Sequence, residues 1–249
     1  MTWVIGLIGL GTVNKGVLDF YHNSEDSAYL AEKGVNHWRI AEHIVVKDPT
    51  KQREVQIPEG CVLTGNVKEV LQDPKVNIVM VATGDPECDR KAIVAALNGG
   101  KHVITANKAV IAQYGEDLFK LAQEKGRHLG IEATTMGGDP IISTLQNLPS
   151  VVQKLEGVVN GTTNWLLEAL DRMPFNEALA QAQKEGIAEA DPSADTSGKD
   201  AADKAIILAR TAFGANMEQT YNLVMSSRNG MKLFPLIIYK SWLAIWVEQ

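Results

Sequence analysis

Several classes of protein are excluded by what this chain lacks. Its two cysteines, Cys61 and Cys88, have no metal-ligand spacing. No secretory pattern opens the sequence, because Met1 leads directly into an apolar strand pattern, so both thiols are expected reduced in a cytoplasmic protein. The five histidines, His22, His37, His43, His102 and His128, are scattered without metal spacing and are assigned no role. Lysine and arginine form no cluster, and the formal net charge is -6, which argues against a nucleic-acid surface. The longest apolar run, Leu233 to Val247, contains Pro235 and Lys240 and falls short of the roughly 20 residues a membrane helix requires. No membrane span is predicted.

What is present describes a folded globular chain. Hydrophobic residues make up 45% and charged residues 22% of 249 positions, which excludes wholesale disorder and permits two modest domains. The run Trp3-Val-Ile-Gly-Leu-Ile-Gly-Leu-Gly11 ends in glycines, and Thr12 to Tyr21 follows with helical spacing of its apolar residues. A strand, a tight turn and a helix are predicted. Gly9 permits the turn, Gly11 lets a pyrophosphate approach the backbone, and Thr12 and Val13 open a helix whose dipole favours anions. The third glycine of the dinucleotide fingerprint is replaced by Asn14, which puts close helix–strand packing in question more than phosphate binding.

Further strands are expected at Ile40–Val46, Lys75–Ala82, Lys101–Thr105 and His128–Ile131, with helices at Asp89–Asn98 and Tyr114–Lys125. This alternation predicts an α/β fold, a Rossmann-type doubly wound parallel sheet over residues 1–131. Ligands in that architecture lie beyond the carboxyl ends of the strands, where Gly11, Lys47, Ala82, Thr83, Lys108 and Glu132 all fall. At the end of the second strand an acidic residue suits a ribose 2'-hydroxyl and a basic one a 2'-phosphate; Asp48 stands between Lys47 and Lys51. The signals conflict. The preference is NADP, with NAD possible; the plain alternative makes Lys47 and Lys51 loop charges.

The second half, residues 132–249, is expected to form a smaller α+β substrate-binding and dimerisation domain. Its richest stretch is Glu185 to Lys204, where carboxylates lie in a loop with glycine and proline that runs into an alanine-rich helix. Asp200 and Lys204 are one turn apart on that helix. Taken alone, this is equally the pattern of a solvated acidic loop with a surface ion pair. Trp165–Leu170 and Phe175–Lys184 read as amphipathic core helices, and Ala202, Ala205, Ile206 and Ala209 as the buried face of the helix after Asp200.

Particular stretches are similar to homoserine dehydrogenase, the family that interconverts aspartate semialdehyde and homoserine. They are Gly9-Leu-Gly-Thr-Val13, Thr105-Ala-Asn-Lys-Ala109, Glu132-Ala-Thr-Thr-Met-Gly-Gly-Asp-Pro-Ile141, Asn160-Gly-Thr-Thr-Asn164, and Gly186 through Asp195 to Asp200, Lys204 and Arg210. The resemblance implies that Lys204 is the proton donor and acceptor at the substrate oxygen, held by Asp200. It implies that Glu189 grips the substrate amino group, that Asp195 shapes the same pocket, and that Gly161 and Thr162 contact the substrate. It makes Gly186 a cofactor contact and places Lys108 between nicotinamide and substrate. A monovalent cation such as sodium would take Glu132 and main-chain carbonyls at Thr135, Gly137 and Asp139; without the resemblance that segment reads as a hinge. The implied activity is NAD(P)-dependent oxidoreduction in amino-acid biosynthesis, towards threonine and methionine, by a homodimer acting on a small molecule.

Two departures from the family stand out. Ile187 replaces the usual tyrosine after Gly186, and from Asn216 onward the pattern is unfamiliar. The apolar segment Met231 to Trp246 is expected to be buried, partly between protomers. Two alternatives therefore stay open: a weak or truncated paralogue that binds a nicotinamide nucleotide as sensor or scaffold, and a dehydrogenase for another short amino-alcohol.

Overall fold

The computed structural model describes residues 2–34, 37–149, 151–157, 159–188 and 198–214, together with three short strands beyond them. Two compact units divide between Thr134 and Thr135, three residues after the boundary expected at 131/132.

In the first unit, β1 (Trp3–Ile8), β2 (Trp38–Val45), β3 (Val62–Thr64), β4 (Ile78–Val81), β5 (His102–Thr105) and β6 (Leu129–Gly130) form one sheet in the order β3-β2-β1-β4-β5-β6. Every pairing is parallel, as in a doubly wound sheet. The order reverses between β1 and β4, the switch point at which such folds bind ligands. Helices α1 (Thr12–His22), α2 (Ser24–Glu32), α3 (Lys68–Leu71), α4 (Pro86–Asn98) and α5 (Lys108–Glu124) connect the strands. The sheet's apolar runs become its core: Leu7, Ile44, Val79, Val81 and Val103 are buried, with Leu18, Val70, Ile93 and Leu97 from the helices. Gly6 matters here, because a Cβ on it would stand 2.4 Å from a methyl of Val70, so only glycine lets α3 lie this close to β1.

Element boundaries differ from the sequence pattern where capping outranks periodicity. α4 begins at Pro86, three residues before the periodicity starts, because Asp85 accepts hydrogen bonds from Glu87 N and Cys88 N and proline suits the first turn. α5 begins at Lys108 rather than Tyr114, because Asn107 caps it through Val110 N. The three-residue β3 and four-residue α3 are too short to give a periodic signal.

In the second unit, α6 (Ile141–Gln146), α7 (Gly161–Leu170), α8 (Phe175–Lys184) and α9 (Lys199–Phe213) are joined by β7 (Lys154–Gly157). β7 pairs antiparallel with β10 (Leu236–Tyr239), and β8 (Ser226–Arg228) pairs with β9 (Met231–Leu233). Leu166, Ala169, Ala178, Ala182 and Ala188 form a core with Trp165, Phe175 and Ile187 packed on it. α9 buries five consecutive residues, Ala205 to Ala209, so it is enclosed on all sides there and not merely along a stripe. Ala202 is only half-buried, short of the expected core position.

Candidate functional site

In the first unit the strand ends are tied together around a glycine turn. Gly9 has φ +87°, and a Cβ there would lie 2.3 Å from the carbonyl oxygen of Ala82, so the turn and the close approach of β4 both require glycine. Gly9 N donates to Val45 O and Ala82 N to Ile8 O, each at 2.9 Å. Gly11 precedes α1 without a side-chain cap, and a Cβ on it would meet nothing within 4 Å. The helix therefore opens with uncapped N–H groups beside open space, as an anion requires. Thr12 and Val13 begin α1, and Val13 is exposed.

Asn14 resolves the packing question raised by the missing third glycine. Its side chain is fully buried, and its amide donates to Gly9 O at 2.8 Å and to Ile8 O at 3.3 Å. The turn's carbonyls take the amide hydrogens, while Oδ1 is buried without a partner among the described residues, and α1 stays close to β1.

After β2, Asp48 turns its carboxylate into its own loop, accepting from Thr50 N at 2.9 Å and Thr50 Oγ1 at 2.7 Å. Those bonds hold its pKa below the usual carboxylate range. Arg53 donates to Lys51 O at 2.7 Å and to Asp48 O at 2.8 Å, which brings a guanidinium into the loop that carries Lys47 and Lys51. Sequence reading missed Arg53, since only the turn's curvature returns it to the strand end. Thr83 and Lys108 follow β4 and β5, with Lys108 half-buried at the start of α5.

The second unit holds an open cleft of about 630 Å³ lined by Asn160, Gly161, Thr162, Asn164, Trp165, Glu168, Ile187, Asp200 and Lys204. Lys204 Nζ lies 2.9 Å from Asp200 Oδ2 and donates to Val159 O at 2.7 Å. Asn160 Nδ2 donates to the same Asp200 oxygen at 2.9 Å, while its Oδ1 caps α7 by accepting from Thr163 N at 2.7 Å. The ion pair is well shielded, with 17% of the lysine and 7% of the aspartate side chain exposed. Two of the three ammonium hydrogens are thus engaged, and the third has no acceptor among the described residues. This arrangement can hold a proton donor facing a small polar ligand.

Four expected residues, Asp200, Lys204, Gly161 and Thr162, meet in this cleft. Asn160, Asn164, Trp165 and Glu168 join them; Trp165 was expected only as core, which it also packs against, and Asn160 and Asn164 bound the quoted Asn-Gly-Thr-Thr-Asn run. Thr162 Oγ1 donates to Ile187 O at 2.9 Å, so the residue in place of tyrosine joins the cleft through its backbone and packs its side chain on the α7–α8 core. Gly186, with φ +74°, ends α8 in a left-handed turn, a structural use of that glycine. Glu189 and Asp195 lie outside the described residues. Glu132 stands in a single 3-10 turn that ends the first unit, while Thr135, Gly137 and Asp139 open the second. Thr135 is buried, and its hydroxyl oxygen has no hydrogen-bond partner among the described residues. No described helix is long and apolar enough to cross a membrane.

A parallel sheet of this order with a glycine turn at its switch point is that of the dinucleotide-binding class of Rossmann domain, here followed by a unit with a lysine–aspartate cleft. Family models agree over both units. The homoserine dehydrogenase NAD-binding domain matches residues 9–132, and the homoserine dehydrogenase domain matches residues 140–228. The chain belongs to the homoserine dehydrogenase family. It is 40% identical over 218 residues to homoserine dehydrogenase of Bacillus subtilis, covering 86% of this chain and 49% of that one. With the Synechocystis enzyme it shares 39% over 223 residues, covering 88% and 50%. The crystal structure of a homoserine dehydrogenase from Thiobacillus denitrificans superposes with TM-score 0.79 at 37% identity, covering 88% of this chain and 51% of that chain. A hyperthermophilic archaeal homoserine dehydrogenase in complex with NADPH gives TM-score 0.69 at 26% identity, covering 86% and 71%. The chain spans about half the length of the curated relatives it matches.

Proposed function

We propose that this chain interconverts L-homoserine and L-aspartate 4-semialdehyde with NADP, or NAD, with Lys204 as proton donor and acceptor. The observation that carries the reading is the ammonium of Lys204, fixed by Asp200 and Val159 at the wall of an open polar cleft. Bound NADP or NAD supplies the hydride chemistry. Gly9 forms the tight turn against Ala82 and Gly11 leaves room for its pyrophosphate at the start of α1, with Thr12 and Val13 offering backbone N–H groups. Lys47, Lys51 and Arg53 favour a 2'-phosphate, because Asp48 spends its carboxylate on Thr50. Ala82, Thr83 and Lys108 belong to the same cofactor edge, and Gly186 is kept as a contact.

During reduction Lys204 gives a proton to the forming alkoxide, and during oxidation it takes the hydroxyl proton. Asp200, with Asn160 donating to the same oxygen, keeps the Nζ aimed while this happens. Lys108 shares in the proton transfer. Gly161 and Thr162 bind the substrate's polar groups at the start of α7, and Glu189 and Asp195 take its amino group and shape the pocket. A monovalent cation such as sodium would take Glu132 and the main-chain carbonyls of Thr135, Gly137 and Asp139, hard oxygen donors suited to it; the buried Thr135 hydroxyl, without a hydrogen-bond partner among the described residues, supports a polar ligand nearby. The proposal includes a cytoplasmic homodimer, supported by the two-stranded β7–β10 sheet, which has no third strand among the described residues to cover its edges.

The test is homoserine-dependent reduction of NADP and NAD by the purified chain, followed at the absorbance of the reduced nicotinamide. Turnover that disappears in Lys204→Ala, with cofactor affinity nearly unchanged, supports the reading. Cofactor binding without turnover supports the sensor or scaffold reading instead.

A further inference from the structure

Asp89 lies in the first turn of α4 and has no solvent exposure. Its spacing with Ala92, Ile93, Ala96 and Leu97 puts it on the helix's buried stripe, where an apolar residue would be expected. A carboxylate there is costly unless its oxygens are satisfied. They are. Oδ1 accepts from Thr83 N at 3.0 Å and from Thr83 Oγ1 at 2.6 Å, and Oδ2 accepts from Asn107 Nδ2 at 2.8 Å. Asn107 continues the chain of bonds, its Oδ1 accepting from Val110 N at 3.2 Å and its own N–H donating to Thr105 Oγ1 at 3.1 Å. Thr105 Oγ1 then donates to Val81 O at 2.8 Å. One buried carboxylate thus bolts the loop after β4 to the loop after β5, beneath the two residues, Thr83 and Lys108, that carry the cofactor edge.

We propose that Asp89 is a positioning residue for the nicotinamide nucleotide, setting the backbone of Thr83 and, through Asn107, the first turn of α5 from which Lys108 projects. This rests on the reading of the first unit as the cofactor site. Asp89 touches no ligand itself; it acts by fixing two loops whose misplacement by about 1 Å is enough to cost a hundredfold in a site of this kind. All its partners are neutral donors among the described residues, so the arrangement has a defined polarity: an acceptor at 89, an amide at 107.

That polarity supplies the test. Asp89→Asn sets two amide NH2 groups against each other, because Asn107 Oδ1 is engaged at the α5 cap. Asn107→Asp sets two carboxylates together. The exchange Asp89→Asn with Asn107→Asp restores every bond: the new amide at 89 donates to the carboxylate at 107, which still caps Val110. NADPH binding to the full chain is titrated by nicotinamide fluorescence, with melting temperature measured beside it. Each single variant is expected to weaken binding about tenfold or more, and the exchange to return it to within about threefold of the unsubstituted chain. Lys101→Met, which removes hydrogen bonds to Asp73 O and Val76 O before β4, serves as a control for general destabilisation and is expected to lower the melting temperature with unchanged affinity. Wild-type affinity in Asp89→Asn, an exchange no better than the weaker single variant, or an equal loss of affinity in Lys101→Met each overturns the role. Absence of NADPH and NADH binding by the unsubstituted chain refutes the cofactor reading itself, a separate outcome.

Discussion

Replacing Asp200 by asparagine keeps the shape of the Lys204 site and removes its charge. At the 2.9 Å separation of Nζ and Oδ2, the gross attraction is about 6 kcal/mol for an effective dielectric constant of roughly 20. Part of that is not lost, because Lys204 retains 17% of its side-chain exposure and faces an open cleft where water can solvate the ammonium. The asparagine oxygen also still accepts from Asn160. Destabilisation of about 2–3 kcal/mol is therefore expected, at or below the lower end for breaking a fully buried pair. The assay is a double-mutant cycle by urea unfolding on Asp200→Asn, Lys204→Met and the pair of substitutions together. A coupling energy of about 2 kcal/mol is expected, and in the turnover assay Asp200→Asn is expected to lower kcat about thirtyfold, the same free energy expressed at the transition state. Additivity within about 0.5 kcal/mol would refute the reasoning, because two groups that do not couple are not held together in solution.

Two other perturbations separate folding from binding in the first unit. Gly9→Ala is expected to destabilise by more than about 1 kcal/mol, since a Cβ would meet the Ala82 carbonyl and φ is +87°. Gly11→Leu is expected to leave the melting temperature nearly unchanged and to weaken NADPH binding at least tenfold, because its Cβ enters open space beside the uncapped α1; unchanged binding would remove the pyrophosphate from that turn. The last prediction concerns pH. Burial, then Arg127 and His128, hold the His102 pKa below its usual value, while its Nδ1 accepts from His128 N at 3.0 Å. The folded state therefore binds fewer protons here than the unfolded chain, so stability present above about pH 6.5 falls as pH drops below that value towards the folded pKa. His102→Asn, whose Oδ1 can take the same hydrogen bond, is expected to flatten the melting-temperature profile below about pH 6.5; an unaltered slope would assign it to other groups.

The parallel sheet was legible because its strands are buried on both faces and leave nearly continuous apolar runs, as at Ile78–Val81 within Val76–Ala82. Asp200 and Lys204 were legible as a pair because four residues make one helical turn, whatever surrounds the helix. Less visible were the residues whose partners are distant in sequence. Asp89 reads as the polar start of a helix, and its bond to Asn107 crosses eighteen positions. Asn160 meets Asp200 across forty, and Arg53 reaches the β2 end only through the turn built on Thr50 and Asp48.

By itself, the sequence determined the elements and the chemistry available to them: a glycine turn between β1 and α1, alternating strands and helices, and a lysine one turn after an aspartate. Local backbone sterics and hydrophobic periodicity are written in neighbouring residues, so they need no partner to be read. Tertiary structure decided which polar groups are satisfied and by whom. It tied Asp48 into its own loop, enclosed Asn14 beneath carbonyls of the glycine turn, set Asp89 between two loops, and placed Val159 and Asn160 on the Lys204–Asp200 pair. The reason is that a buried polar atom is stabilised by whatever donor or acceptor folding brings within about 3 Å, and that distance carries no trace of sequence separation.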